Sequence, residues 1–381
     1  MEYFKLSLDA LFSHFSTLID PRVINHNIRH EMRDILIISL LAVICGADSW
    51  VDIELFGNCK KEWLGTFLNL PNGIPSHDTF RRFYSILDAK EFELCFMSWI
   101  ATLVEKQQGE IIAIDGKTSR RSLDENRGLK ALHLVSAWAS ENGLVLGQVK
   151  CGDKGGEIAA METLLKALDL KDTTVTMDAM GCQKKLAAQI IQKGGHYMLA
   201  AKGNQGLLHD KIKMIFEKAE QVQFNAMVYS QDTQVDKGHG RVEQRDCTVF
   251  HVMYAPEFRE KWVGLNSLVK IKSEVFKQGQ TTTQTRYYIS SLPPDAAICA
   301  RAIRQHWGVE NSLHWCLDMS FNDDYVRARI GNSAENFAVL RRIALNLLKK
   351  DNSRKASIKG KRKIGGWDNS FLEHLLSLVK S

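Results

Sequence analysis

Apolar residues recur at helical spacing along roughly the first 100 residues of the chain. Two turn signals divide this pattern, "DPR" at 20–22 and "LPNGIP" at 70–75. The longest apolar run, from Ile35 to Ala47, is shorter than the roughly 20 residues that a bilayer span requires. We therefore predict an all-helical domain over residues 1–100, with this run as a buried core helix.

The helix predicted after the second turn has one apolar face and one cationic face. Its apolar stripe consists of Phe80, Phe83, Tyr84 and Leu87. Ser76 is a suitable N-cap, and Arg81 and Arg82 lie largely off the stripe. Two interpretations remain open at this point: the helix could enter a DNA groove, or the two arginines could belong to an ordinary solvated face.

Between residues 101 and 205 the pattern changes to short apolar strands that alternate with helices. The predicted strands are "EIIAID", "KALHLVSAWAS", "LVLGQVKC", "TTVTMDAMG" and "HYMLAAKGNQ", and the helices are "GEIAAMETLLKALDL" and "CQKKLAAQIIQKGG". The chain order is three strands in a meander, then helix, strand, helix and strand. This order predicts an α/β fold in which helices flank a mixed sheet.

The remaining residues divide into three further parts. After one helix, residues 206–294 are rich in β pattern, which predicts a β-rich insertion subdomain. Residues 295–350 return to helical spacing and predict a C-terminal helical part of the same core. Residues 351–381 are predicted to be a basic tail, because the segment 349–363 has eight cations against one Asp.

Composition narrows the class of protein without deciding its function. The chain has 381 residues, 45% of them hydrophobic, and a formal net charge of +6, which permits nucleic acid as a partner without requiring it. None of the eight cysteines forms a C-x-x-C pair, so neither a zinc ribbon nor a redox dithiol is indicated. With no signal-peptide pattern and no membrane partner indicated, we expect a cytoplasmic, nucleoid-associated bacterial protein.

Two acids end strands of the same predicted sheet. Asp115 follows "EIIAI" and Asp178 follows "TTVTM", so the two carboxylates would face each other if these strands are neighbours. Carboxylates about 4 Å apart repel one another, and Mg²⁺ relieves that repulsion while using only one or two protein carboxylates. Two such ions about 3.5–4 Å apart can activate a water or a 3′-OH and stabilise the leaving oxygen.

Glu310 is the best candidate for a third acid. It falls between Trp307 and Leu313 on an apolar helix stripe, where an unpaired carboxylate is costly. The acids that compete for the same roles are Asp124, Asp153, Asp318, Asp323 and Asp324. His306 and His314 are either metal ligands or packed, hydrogen-bonded side chains.

Ordered motifs surround these acids. They are "IIAIDGKT", "TMDAMGCQK", "AKGNQG", "HGRVEQR", "RYYISS", "RQHWGVENSLHWCLDMSFNDD" and "GNSAENFAVLRRIALNLL", with "ADSWVDIELFG" and "NGIPSHDTFRR" in the helical region. In these motifs the chain resembles the H-repeat-associated DDE transposases of bacterial insertion sequences, to about residue 350. The resemblance implies a ribonuclease-H-like core interrupted by a β-rich insertion, and an associated N-terminal helical domain that binds DNA.

The resemblance also implies cut-and-paste DNA chemistry with two Mg²⁺ or Mn²⁺ ions per active site. It makes Asp115, Asp178 and Glu310 the catalytic, metal-binding acids. Related transposases often have a Tyr, an Arg and a Lys around the glutamate, but the corresponding residues here are Ile303, His306 and Leu317. Because of this departure, details of a hairpin intermediate are not transferred to the chain.

Cations near these acids are candidates for DNA contacts. Lys117, Arg120 and Arg121 follow the first acid, and Lys202 ends the fifth strand. The other candidates are Arg81, Arg82, Arg241, Arg245 and His306. Trp307 and Trp315 beside the third acid are interpreted as core packing, with a platform for a displaced base as the alternative.

The leading hypothesis is a DNA transposase that cleaves the ends of an insertion sequence and joins them to target DNA. Its partner would be double-stranded DNA, namely the terminal inverted repeats and the target, and we expect a homodimer on DNA. The alternatives are a ribonuclease-H-fold nuclease without strand transfer and a catalytically silent DNA-binding relic.

Overall fold

One mixed sheet of nine strands runs through the described residues. The strands are β1 Ile111–Ser119, β2 Leu132–Ala139, β3 Leu144–Lys150, β4 Thr174–Met177, β5 His196–Ala201, β6 Tyr229–Gly238, β7 Arg241–His251, β8 Ser267–Lys277 and β9 Gln280–Ser290. Their spatial order is β3-β2-β1-β4-β5-β9-β8-β7-β6. The computed structural model describes residues 2–23, 28–105, 107–123, 128, 130–152, 156–225, 227–238 and 240–378, and of residues 2–6 the backbone alone.

The first five strands form the half of the sheet that the sequence predicts. β2 is antiparallel to both β1 and β3, whereas β1, β4 and β5 are parallel to one another. The buried strands are almost continuously apolar because helices cover both faces of the sheet. A meander of three strands followed by two crossovers confirms the ribonuclease-H-like fold class.

Fifteen α-helices lie in the described residues. They are α1 Glu2–Ser13, α2 Met32–Cys45, α3 Trp50–Cys59, α4 Lys61–Leu64, α5 His77–Ile86, α6 Ala89–Leu103, α7 Gly156–Ala167, α8 Lys184–Gln192, α9 Gly206–Gln221, α10 Pro256–Arg259, α11 Ala296–His306, α12 Trp315–Phe321, α13 Ser333–Lys350, α14 Ile358–Trp367 and α15 Asn369–Ser377. Successive side chains of β1 point to opposite faces of the sheet, and a separate hydrophobic core lies on each face. Ile112 and Ile114 join α7 and α8, whereas Ala113 joins the larger core of α2, α6 and α13.

The β-rich insertion continues the sheet of the core. β9 pairs antiparallel with β5, with Ala200 opposite Tyr288, and β8, β7 and β6 follow outwards. Without β9, the backbone groups of β5 would form an unpaired sheet edge. Side chains of the insertion are therefore held in register with the strands that carry the two acids.

The C-terminal residues correct the prediction of a basic tail over 351–381. The helices α14 and α15 pack against α2 and α1 respectively. The buried apolar residues of α15 are Phe371, Leu372, Leu375 and Leu376. The ammonium of the buried Lys361 is 2.9 Å from the carboxylate of Asp351, so this cation stabilises the fold. The prediction of a basic tail was wrong, because apolar residues at helical spacing let α14 and α15 pack against the core.

No single helix in the described part of the chain is long and apolar enough to cross a membrane. The helices α2 and α3 pass that test of length and composition only when taken together, with a bend of 95° between them. The prediction of a core helix is confirmed, since every residue from Ile35 to Ile44 of α2 is buried.

The docking of α15 gives a test of the corrected C-terminus. We expect Leu375→Ala to lower the free energy of unfolding by about 2–5 kcal/mol, because it leaves a cavity in a closed core. Lys359→Ala on the exposed side of α14 is the matched control and should stay within about 0.5 kcal/mol. Urea unfolding measures both variants, and equal stability of the two would contradict the docked position of α15.

Candidate active site

Asp115 and Asp178 are neighbours at one end of the sheet. β1 and β4 pair in parallel with Ile114 opposite Met177, so the next residue along each chain is one of the two acids. Adjacent strands are about 4.8 Å apart, which brings the two carboxyl groups into one site. The Asp178 carboxylate accepts a hydrogen bond of 2.9 Å from the backbone N–H of Met180, which stabilises the turn after β4.

Burial and neighbouring carboxylates make the negative charge of Asp115 unfavourable. Its pKa is raised from 3.8 to about 7, chiefly by burial, and the negative charges of Asp178, Glu310 and Glu157 add to the shift. No group of three His, Cys, Asp or Glu side chains in the described ranges is placed to hold a metal ion by itself. The pair of aspartates nevertheless fits the small donor set that Mg²⁺ takes, in which waters and phosphate oxygens complete the coordination.

Glu310 lies on a π-helix, Val309–His314, between α11 and α12. The N–H of Trp315 bonds to the carbonyl of Glu310, five residues earlier, so the helix is wider here than an α-helix. The buried positions are Val309 and Leu313, whereas Glu310 is exposed. The prediction that Glu310 shares the buried stripe was wrong, because the π-turn changes the phase of the helix.

All three sequence-predicted acids line one cavity of about 150 Å³. Its walls come from the ends of β1, β4 and β5, from β9, and from α11 with the π-helix. Besides the acids, its polar lining includes Thr176, Lys202, Arg286 and His306. The end of the sheet and the π-helix thus bring together residues that are far apart in the sequence.

Two neutral histidines lie near the acids, and one of them, His306, lines the cavity. Burial lowers the pKa of His306 to about 4, and its Nδ1 is 2.9 Å from the hydroxyl of Thr176. Burial lowers the pKa of His314 to about 3, although its Nδ1 is 3.6 Å from the Asp115 carboxylate. Near neutral pH neither imidazole supplies a positive charge to the acids, so the expectation that His306 contacts DNA would require a neutral ring.

The cations after Asp115 contact the segment that follows the π-helix. The ammonium of Lys117 is 2.7 Å from the carboxylate of Asp318 and 3.6 Å from that of Asp324. The side chain of Arg120 is 83% exposed, and the guanidinium of Arg121 lies 4.5 Å from the centre of the Tyr325 ring. Lys117 is therefore a tether between β1 and α12, which leaves Arg120 and Arg121 as the accessible cations.

The competing acids have other partners where the structure describes them. Asp318 and Asp324 pair with Lys117, and the buried Asp323 pairs with Arg341 at 2.5 Å. Asp124 and Asp153 lie outside the described residues. None of the three described competitors is among the residues that line the cavity.

The remaining predicted DNA contacts differ in their accessibility. Arg245 is only 13% exposed and pairs with Glu243 and Asp236, whereas Arg241 is 54% exposed. Both line a neighbouring cavity of about 470 Å³ that also reaches Glu310. On α5, one nitrogen of Arg81 is 2.8 Å from the carboxylate of Asp78, and Arg82 is exposed.

Sequence reasoning missed Arg286 and misassigned one tryptophan. Arg286 lines the acid cavity, and its guanidinium carbon is 4.5 Å from the centre of the Trp307 ring. The available signal was the alternation of β9, which places Arg286 and the cavity residue Tyr288 on one face. The interpretation of Trp315 as core was wrong, because its side chain is 61% exposed.

Comparisons with known proteins agree on one family. Residues 106–347 match the family model described as "Transposase DDE domain", and residues 12–100 match the model described as "DDE_Tnp_1-associated". "Putative transposase YncI" of Escherichia coli O157:H7 is 42% identical over 378 residues, which cover 98% of this chain and 95% of that protein.

Two further relatives come from Escherichia coli K12. "H repeat-associated putative transposase YhhI" is 38% identical over 377 residues, covering 98% of this chain and 99% of its own length. "Inactive transposase YbfQ" is 39% identical over 80 residues, which are 21% of this chain and 94% of that protein. The long relatives match almost the whole chain.

The raised pKa of Asp115 predicts a pH-dependent stability in the absence of metal. The folded protein retains a proton on Asp115 up to about pH 7, whereas the unfolded chain loses it near pH 4. The stabilisation from that proton is therefore complete below about pH 4 and is lost as the pH rises through 7. At pH 8 in EDTA, the free energy of unfolding of Asp115→Asn should exceed that of the wild type by on the order of 2–4 kcal/mol.

Chemical unfolding of both proteins at pH 5 and pH 8 measures this effect. The difference between them should shrink at pH 5, where the wild-type carboxyl is mostly protonated. The lowered pKa values of His306 and His314 act in the opposite sense, since their contribution is lost as the pH falls below 6.5. Both proteins have these histidines, so their effect cancels, and a pH-independent difference would contradict the raised pKa.

The tether predicts that Lys117 contributes to stability. Its side chain is 9% exposed, so Lys117→Met leaves Asp318 without its cation and Asp324 with Arg120 alone, and should cost about 1–3 kcal/mol. Arg120→Gln removes the same charge from an exposed position and should change stability by less than about 0.5 kcal/mol. Urea unfolding compares them, and a loss confined to Arg120→Gln would refute the tether.

Proposed function

The chain belongs to the transposase DDE domain family, and we propose that it cleaves DNA at the ends of an insertion sequence and transfers the cut strands into target DNA. Asp115, Asp178 and Glu310 are the proposed catalytic acids. We also propose that each active site binds two Mg²⁺ or Mn²⁺ ions and that the substrate is double-stranded DNA.

The observation that carries the proposal is the parallel register of β1 and β4. It makes Asp115 and Asp178 neighbours at the sheet end, in the same cavity that Glu310 lines from the π-helix. The raised pKa of Asp115 supports the same conclusion, since negative charges crowd a partly buried site. Such crowding is unfavourable in the free protein and suits the binding of divalent cations.

Asp115 and Asp178 would hold one metal ion, and Glu310 would supply a carboxylate for the second. When bound, the metal ions would activate the attacking hydroxyl and stabilise the leaving oxygen. The protein side chains then have three tasks: the acids bind the metal, the neutral His306 fills the cavity wall, and cations orient the phosphodiester. Glu310 is exposed and lines the cavity, so its carboxylate would be accessible to a metal ion.

DNA binding is proposed to use the exposed cations on three elements. Arg120 and Arg121 lie just past the first acid, Arg82 is exposed on α5, and Arg241 is exposed on β7. Contacts from these residues to phosphates would position the duplex without reading its sequence. Since two element ends have to be brought together for transfer, we propose that two copies of the chain act on DNA.

The central test is strand cleavage of a duplex that carries the terminal repeat bordering the gene, in Mg²⁺ or Mn²⁺. Asp115→Asn, Asp178→Asn and Glu310→Gln should each lower the cleavage rate by roughly 100- to 1000-fold, as expected for loss of one group that stabilises the transition state. Glu217→Gln removes an exposed carboxylate from α9 and should cleave like the wild type.

The outcomes separate the competing functions. Cleavage without joining to a second, target duplex would indicate a nuclease without strand transfer. Binding without cleavage in both metals would indicate a silent DNA-binding relic, a possibility that the relative named as inactive makes worth testing. If any of the three acid variants cleaves as fast as Glu217→Gln, that acid has been assigned wrongly.

A further inference from the structure

Two cations lie just beyond the row that contains the two aspartates. The strand register extends that row from Asp115 and Asp178 to Ala200 and Tyr288. β5 and β9 pair with Ala201 opposite Tyr287, so the next residues outward in the same register are Lys202 and Arg286. Along the sheet end, β1 and β4 therefore present acids, while β5 and β9 present cations. All four of these residues line the cavity of about 150 Å³.

Arg286 is held in a defined orientation at this position. Its guanidinium lies 4.5 Å from the centre of the Trp307 ring, and one of its nitrogens donates a hydrogen bond of 2.9 Å to the side-chain oxygen of Gln284. Stacking of a guanidinium on an indole fixes the plane of the donors. Arg286 also lines two adjoining cavities of about 470 and 220 Å³, so it stands where the three spaces meet.

The charge of Arg286 is not neutralised by the protein. Within the ranges that the structure describes, no carboxylate oxygen lies within 4.0 Å of Arg286 or Lys202. Other cations around the site differ in this respect: Lys117 pairs with Asp318, and Arg245 pairs with two acids. A cation that faces the acid cavity without a carboxylate partner is suited to an anionic ligand.

We propose that Arg286, with Lys202 beside it, binds a phosphate of the DNA strand next to the bond that is cut. This inference rests on the proposed function and adds a phosphate-binding residue to it. The planar guanidinium offers two parallel donors to one phosphate, and Trp307 holds that plane before DNA binds. The insertion then contributes directly to the active site, because β9 places Arg286 in the cavity that the acids line.

The alternative is that Arg286 serves only to pack against Trp307. The two roles differ in their dependence on salt, because each phosphate contact adds about 0.9 to the slope of log affinity against log salt for duplex DNA. A packing role leaves that slope unchanged. The measurement is therefore fluorescence anisotropy with the terminal-repeat duplex in EDTA, over a series of KCl concentrations, alongside cleavage in Mg²⁺.

Two variants of Arg286 and one control make the test specific. Arg286→Gln should reduce the salt slope by about 0.9 and slow cleavage about 10- to 100-fold. Arg286→Lys should retain the slope while cleaving more slowly than the wild type, since an ammonium has no planar pair of donors. Lys272→Gln removes a 45% exposed cation from the opposite face of the same sheet and should change neither quantity.

Thermal unfolding of each variant checks that it is folded under the conditions of the binding and cleavage assays. An unchanged slope in Arg286→Gln would overturn the inference, even if cleavage is slower, because the residue would then act only through packing. Failure of the wild type to cleave would count against the proposed function alone, since the salt slope is measured without catalysis. A slope reduced in Arg286→Gln and retained in Arg286→Lys supports the phosphate contact.

Discussion

Repulsion between carboxylates at the ends of two parallel strands is the constraint on which the active site depends. The register of β1 and β4 leaves Asp115 no freedom to move away from Asp178, and burial makes the charge of Asp115 still less favourable. Such an arrangement lasts only if the strands are held firmly by other contacts. Apolar cores on both faces of the sheet provide them, so the stability of the protein is concentrated away from the site.

The continuous sheet explains how an insertion can take part in chemistry. A subdomain joined by flexible linkers would place its side chains loosely, whereas the end of β9, from Tyr287 to Ser290, pairs with β5. A single change of register by one residue would turn Arg286 to the other face. The insertion thus adds a cation to the cavity that the acids line, two residues beyond their row in the sheet.

The sequence pattern predicted those features that depend on residues close together in the chain. It did not predict the features that depend on contacts between distant residues. The five core strands and the fold class follow from alternation, turns and chain order, and the two aspartates follow from strand ends. The exposure of Glu310 does not, because a π-turn depends on packing that periodicity does not show. The partner of Lys117 is Asp318, which is 201 residues away in the sequence. At the C-terminus, the abundance of cations concealed the apolar spacing of α15.

The tether of Lys117 has a further consequence for the acids. Lys117 follows Asp115 by two residues on the same face of β1, where a free ammonium would lower the pKa of the acid and compete with a metal ion. Asp318 and Asp324 instead draw that ammonium towards α12. The neighbouring His314 is uncharged, since its pKa is about 3. Within the described residues, neither aspartate thus forms an ion pair with a lysine or an arginine, and an external metal ion gains more by binding there.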